Sequence, residues 1–220
     1  MRVAIVGTGI SGLVCAHLLH RHHDITVFEA NRYVGGHTNT VEFDLDGRNY
    51  AVDTGFIVYN EANYPNFVRL LRQLGVPTQR SAMSFSVSNE RSGLEWRGTN
   101  LDTVFAQRRN ALRPSFHRML VDIVRFNRAA KRLVAADRAG LSDPGTTLSE
   151  FTAELGVSRC FLDDFLVPFG AAVWSADPRS FLEIPAATYT RFMANHSLLD
   201  VGKTPDWRTV SGGSKRYVES

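Results

Sequence analysis

At 220 residues, 44% hydrophobic and 21% charged, the chain has the make-up of a globular protein, which argues against a disordered polymer or a fibrous repeat. A formal net charge of +3 is too small to point to a nucleic-acid partner. Two distant cysteines, Cys15 and Cys160, argue against a disulfide scaffold or a structural zinc and make a reducing cytoplasm the expected compartment. The length suits one large domain, or one domain carrying an insertion. No apolar run approaches the roughly 20 residues that span a bilayer.

Val3 to Val6 is a continuous apolar run, the pattern of a parallel strand buried on both faces, and too short for a signal-peptide core. Ile10, Leu13, Val14 and Leu18 follow at helical spacing and are expected to face inward. Ile25 to Phe28 is a second β-branched strand, so the opening reads as a parallel βαβ unit. After a polar loop over residues 30–38, Val41, Phe43 and Leu45 alternate up to Asp46-Gly47, and Arg48, Tyr50 and Val52 alternate beyond it. Asp-Gly suits a type I′ turn, which pairs Leu45 with Arg48, Phe43 with Tyr50 and Val41 with Val52.

Residues 64–74 predict an amphipathic helix (Phe67, Leu70, Leu71, Leu74) stopped by Gly75 and Pro77. Phe85, Val87, Leu94 and Trp96 predict a second hairpin around residues 88–93. Residues 115–136 predict a long helix and 140–145 a breaker-rich linker. Further helices are expected to open at Thr147 and over residues 158–174 and 186–199. Residues 211–214 then turn toward a new helix from Lys215. Two parallel strands are fewer than a three-layer nucleotide-binding sheet needs, so the sequence is expected to be a C-terminally truncated piece of a longer protein.

The sharpest motif is Gly7-Thr8-Gly9-Ile10-Ser11-Gly12, between the first strand and the first helix. Gly7 makes the tight turn, Gly9 lets the main chain approach a pyrophosphate, and Gly12 lets helix and strand pack closely. The helix N-terminus offers unpaired N–H groups and partial positive charge to the phosphates. Glu29 ends the second strand, where its carboxylate can accept from ribose hydroxyls and would repel the 2′-phosphate of NADP.

A second glycine pair follows in Glu29-Ala30-Asn31-Arg32-Tyr33-Val34-Gly35-Gly36-His37-Thr38, and an Asp-x-Gly element in Val52-Asp53-Thr54-Gly55-Phe56-Ile57. Both resemble segments of the flavin amine oxidase superfamily. The first continues along the FAD pyrophosphate there, and the second lies close to the flavin ring. Residues 52–60, 83–87, 172–175, 195–196 and 207–214 extend the likeness to a bacterial group of FAD-dependent, amine-oxidase-like oxidoreductases, over essentially the whole chain. The resemblance implies an α/β fold: an incomplete Rossmann-like FAD-binding domain over residues 1–79, a mixed α+β substrate-domain insertion over 80–205, and the start of a return to the FAD domain over 206–220. It implies FAD as cofactor, held by Gly7, Thr8, Gly9, Ile10, Ser11, Gly12, Glu29, Ala30, Arg32, Gly35, Gly36, His37, Thr38, Gly55, Phe56 and Ile57. His37 stands where the superfamily often has arginine, so the charged clamp on the pyrophosphate is partial at neutral pH. The superfamily's aromatic cage and lysine come from later sequence, so no catalytic residue is assigned.

The implied reaction is hydride transfer to flavin from a C–H bond of a small, apolar substrate, an amine or a lipid-like molecule. A non-catalytic nucleotide-binding fragment and an NAD-dependent dehydrogenase stand as alternatives. His17, His20, His22 and His23 cluster near the end of the first helix, where they suit the helix dipole better than a metal. Arg118, Arg125 and Arg132 recur every seven residues, a stripe that could face solvent or an anionic membrane. Tyr59, Trp174 and His196 are candidates either to line a substrate pocket or to fill the core. No Gly-x-Ser-x-Gly elbow is present.

Overall fold

A computed structural model describes residues 1–174, 176–200 and 205–220, and Ser175, the last residue of the 172–175 motif, lies outside them. The chain divides into two compact units, one of Met1–Met83 with Asp206–Ser220 and the other of Ser84–Pro205.

The first unit opens with β1 (Arg2–Val6), α1 (Ile10–Leu19) and β2 (Asp24–Phe28). The strands pair in parallel, with Val3 opposite Ile25 and Ile5 opposite Val27. The expected burial on both faces does not occur. Ile5 is buried, but Val6 is 87% exposed and Phe28 54%. Nor does α1 bury any residue, against the inward apolar face expected of it. β1 and β2 form a sheet of their own, so elements apolar on several sides are covered on few.

β3 (Thr40–Leu45) and β4 (Arg48–Asp53) form the expected hairpin in the expected register. Asp46 and Gly47 take the positive φ angles of 53° and 74° that a type I′ turn requires. Phe43 and Tyr50 stack at 5.6 Å. Next come β5 (Tyr59–Asn60), α2 (Pro65–Gln73) and β6 (Thr78–Arg80). Leu71 from α2 joins Tyr59, Val76, Val210 and Tyr217 in this unit's core. Tyr59 is thus a core residue.

The second unit has the hairpin β7 (Ser86–Asn89) and β8 (Leu94–Arg97), then α3 (Leu101–Val104), α4 (Pro114–Arg138) and α5 (Leu148–Leu155). α6 (Arg159–Phe161) runs through a π-turn at Leu162–Leu166 into α7 (Val167–Trp174), and α8 (Ala186–Asn195) follows. The π-turn has a readable cause. Pro168 has no N–H to give the Asp164 carbonyl, which accepts instead from Trp96 Nε1 at 3.1 Å. The buried Asp164 carboxylate then accepts from Asn89 Nδ2 (2.5 Å), Ser92 Oγ (3.1 Å) and the Cys160 thiol (3.3 Å). Burial, with Asp164 beside it, pushes that thiol up to about 12, so it is no nucleophile. Back in the first unit, β9 (Trp207–Val210) lies between β5 and β6, antiparallel to both, and α9 (Arg216–Glu219) follows.

The arginine stripe on α4 is bracing at two of its three positions. Asp122, fully buried on α4, accepts from Arg118 Nε (3.2 Å), Arg125 Nη1 (2.7 Å) and the Ser158 N–H (2.8 Å). The same two guanidinium groups donate to the carbonyls of Gly156 and Leu155 at the end of α5. Charge and donors there satisfy carbonyls that a helix C-terminus leaves unpaired. Burial pushes the Asp122 carboxyl up, but hydrogen bonds from Ser158, Arg125 and Arg118 outweigh it and hold it below the usual carboxylate range. A carboxyl lower in the folded than in the unfolded chain contributes stability above its unfolded value, lost as pH falls through the folded one. Asp122→Asn is therefore expected to cost about 1–3 kcal/mol at neutral pH, and to flatten the acid limb of stability. Thermal melts followed by circular dichroism between about pH 3 and 7 measure both.

Candidate functional site

The site begins where β1 ends. Gly7 N–H donates to the Phe28 carbonyl at 2.7 Å, extending the strand pairing by one residue, and the chain then turns into α1. A Cβ on Gly12 would fall 2.0 Å from the Gly7 carbonyl oxygen, so only glycine lets the helix begin this close to the turn. Gly9 caps α1 without a side chain, and its carbonyl accepts from Leu13 N–H at 3.0 Å. The N–H groups of Ile10, Ser11 and Gly12 have no intrahelical acceptor, and the side chains of Ile10 and Ser11 are exposed. The result is an open helix N-terminus that favours an anion.

Glu29, just beyond β2, turns toward this loop. Its Oε2 accepts from the Thr8 N–H at 2.9 Å and from the Thr8 hydroxyl, and its Oε1 accepts from the Asn31 N–H at 2.8 Å. The Thr8 hydroxyl, followed by the Asn31 and Thr8 N–H groups, holds the carboxyl down to about 2. Glu29 is thus an ionised acceptor throughout the neutral range and never an acid there.

The second glycine pair closes on the first loop. Gly36 has φ +61°, and a Cβ there would lie 2.8 Å from Gly9 Cα, so the two main chains touch. Gly35 N–H donates to the Thr8 hydroxyl oxygen at 3.2 Å. Gly7, Thr8, Gly9, Gly12, Glu29, Gly35 and Gly36 therefore form one constellation. Ala30, Arg32 and His37 are exposed on the rim loop.

Of the remaining predicted residues, Thr38, Phe56 and Ile57 are tied to the 207–217 segment. Thr38 pairs its hydroxyl with that of Tyr217, and Ile57 offers its carbonyl to Thr209 Oγ1 at 3.0 Å. Phe56 accepts through its carbonyl from Ser214 Oγ (2.8 Å), and its ring lies edge-on to Tyr64 and Phe67. Gly55 sits against the His37 carbonyl. The residue that organises this second group is Asp53. Its Oδ1 accepts from Thr40 Oγ1 (2.6 Å) and Ser214 N–H (2.8 Å), and its Oδ2 lies 3.0 Å from Ser214 Oγ, whose one proton it shares with the Phe56 carbonyl. Sequence reasoning noted Asp53 only as part of a motif, because its partner is 161 positions away.

In the second unit Trp174 and His196 come together through Phe192, with ring centroids 4.2 and 4.0 Å away. In the first unit, the rings of His17 and His20 lie 6.0 Å apart, and His20 Nδ1 is bonded to the His17 carbonyl. No group of three or more potential metal ligands occurs among the described residues.

Comparison with known proteins adds three observations. The profile of the family described as Flavin containing amine oxidoreductase matches residues 10–196. A probable zeta-carotene desaturase of Synechococcus elongatus is 36% identical over 76 residues, 34% of this chain and 15% of that protein. Among solved structures, cyclohexylamine oxidase from Brevibacterium oxydans IH-35A superposes with a TM-score of 0.67 at 21% identity, over 99% of this chain and 48% of that one. Putrescine oxidase bound to putrescine gives 0.62 at 19%, over 100% and 49%, and a fatty acid isomerase from P. acnes 0.58 at 19%, over 98% and 48%. The chain spans about half the length of these structures and shares the fold of that part.

Asp53→Ala removes the acceptor that holds Ser214. It is expected to speed tryptic cleavage after Lys215 and Arg216 by about tenfold, read by mass spectrometry of limited digests.

Proposed function

The chain belongs to the flavin containing amine oxidoreductase family, whose cofactor is FAD, and we propose that it is the cofactor-binding part of a flavin-dependent oxidoreductase acting on a small, apolar molecule. When bound, FAD supplies the redox chemistry, taking a hydride from a C–H bond of the substrate. The observation that carries the reading is the single constellation made by Gly7 to Gly12, Glu29 and the Gly35-Gly36 pair.

The residues fit the cofactor by the chemistry of their donors and acceptors. The first-turn N–H groups of α1 face an anion such as the diphosphate, and the bare Gly9 Cα admits it closely. Nothing lies within 4 Å of where a Gly9 Cβ would stand, so the approach is open. Glu29 is an acceptor for ribose and, being ionised, repels a 2′-phosphate. The Gly35-Gly36 loop, packed on Gly9, extends the cradle beyond what a simple NAD fold provides.

The unit Ser84–Pro205 is the proposed substrate region, and in it Trp174 and Phe192 pack on the buried core beside Tyr189, with His196 stacked on Phe192. The two oxidases among the neighbours are named for amines, whereas the desaturase and the isomerase are named for a carotene and a fatty acid. Both groups of names are consistent with a small molecule that reacts at a C–H bond. Among the described residues no helix is long and apolar enough to cross a membrane.

Purified protein is expected to show absorbance bands near about 370 and 450 nm, or to gain them on adding FAD. Gly12→Ala, which drives a methyl into the Gly7 carbonyl, is expected to weaken FAD binding by about tenfold or more. A colourless protein that takes up no FAD would instead be a non-catalytic fragment, and one that retains NADH alone a dehydrogenase. Anaerobic bleaching by amines or by unsaturated fatty acyl lipids then decides the substrate class.

A further inference from the structure

Thr8 occupies the variable position between the first two glycines, yet it is 4% exposed and makes three polar contacts. An ionised carboxylate offers about four lone-pair directions, two on each oxygen. On Glu29 Oε2 both are taken, by the N–H and the hydroxyl of Thr8. On Oε1 one is taken, by the Asn31 N–H. The Ala30 N–H also draws on this carboxylate, so at most one direction remains.

The Thr8 hydroxyl has a fixed polarity. Its proton goes to the carboxylate, so its oxygen is left as the acceptor for the Gly35 N–H. Gly35, Thr8 and Glu29 are therefore a directed chain of hydrogen bonds in which each strengthens the next. Burial of Thr8 keeps water from replacing its hydroxyl.

We propose that Thr8 is a positioning residue which commits one oxygen of Glu29 and fastens the Gly35-Gly36 loop to it, so that Glu29 reads a bound ribose at one hydroxyl instead of at the vicinal pair. The ribose half rests on the cofactor reading above. The positioning half rests on the protein alone.

Two variants test it: Thr8→Val, which keeps the shape and removes both hydroxyl bonds, and Thr8→Ser, which keeps the bonds. In the chain without cofactor, Thr8→Val is expected to raise the titration midpoint of Glu29, read by carboxyl carbon NMR, from about 2 toward the ordinary carboxylate value. It is also expected to speed hydrogen exchange at the Gly35 amide by about tenfold, while Thr8→Ser stays close to the parent. An unchanged Glu29 midpoint in Thr8→Val overturns the positioning role.

FAD and its 2′-deoxy and 3′-deoxy adenosine analogues, titrated by flavin fluorescence, test the ribose half. One analogue is expected to bind about tenfold weaker than FAD and the other within about threefold of it. Equal losses for both overturn the single-hydroxyl reading. Absence of binding for all three overturns that reading together with the proposed function, while the Glu29 titration still decides the role of Thr8.

Discussion

The proposed cofactor cradle depends on main chains that touch. Gly9 and Gly36 come from loops on opposite sides of β2, and neither a Cβ on Gly36 nor one on Gly12 has room. Steric permission does not hold loops together, however, and the polar chain from Gly35 through Thr8 to Glu29 supplies the attraction. Such a chain is directional where van der Waals contact is not, so it sets where the carboxylate points as well as how close the loops lie. The charge on Glu29 anchors the arrangement, because hydrogen bonds to an ionised acceptor are the stronger ones.

The same solution recurs at three further joints between distant segments. Asp53 ties β3 and β4 to the Gly-Gly-Ser turn before α9, and Asp122 ties α4 to Ser158 while its partners Arg118 and Arg125 reach the end of α5. Asp164 ties the π-turn to the β7–β8 hairpin through Asn89 and Ser92. In each case a carboxylate collects donors from two or three elements, at least one of them a neutral N–H, amide or hydroxyl. Neutral donors matter because a bare ion pair in the interior gains little once desolvation is counted. Asp122 shows both modes, bonded to two arginine guanidinium groups and to one main-chain N–H.

Local patterns were legible where one short segment determines the outcome. The β3–β4 register follows from Asp46-Gly47 and strict alternation, and the steric need for Gly12 follows from a helix starting beside a strand. Features that depend on a distant partner were not legible. β9 is four residues long and pairs with β5 and β6 across more than a hundred positions, so no periodicity announces it. Pro168 was visible, but its effect on the helix depends on Trp96 reaching the freed carbonyl. The arginine period identified a helix face without identifying Asp122, on the same face, as its purpose. Thr8 was named with the glycine loop, but its part could not be read, since it follows from the direction in which Glu29 turns.

A last contrast separates the shape of the cradle from the placement of its elements. α1 buries no residue, and Val6 and Phe28 lie largely in solvent at the ends of β1 and β2, so apolar cover contributes little to this corner. The second unit is the opposite case, with Phe116, Phe126, Phe161 and Tyr189 wholly buried in one core. At this corner, then, the loops keep their geometry through hydrogen bonds and close main-chain approach, while β1, α1 and β2 have little apolar cover. A ligand spanning the Gly7–Gly12 turn and Glu29 would bind only the assembled form, and by mass action would add stability where burial adds least. The polar network fixes what the cradle can recognise, and recognition in turn supports the elements that carry the cradle.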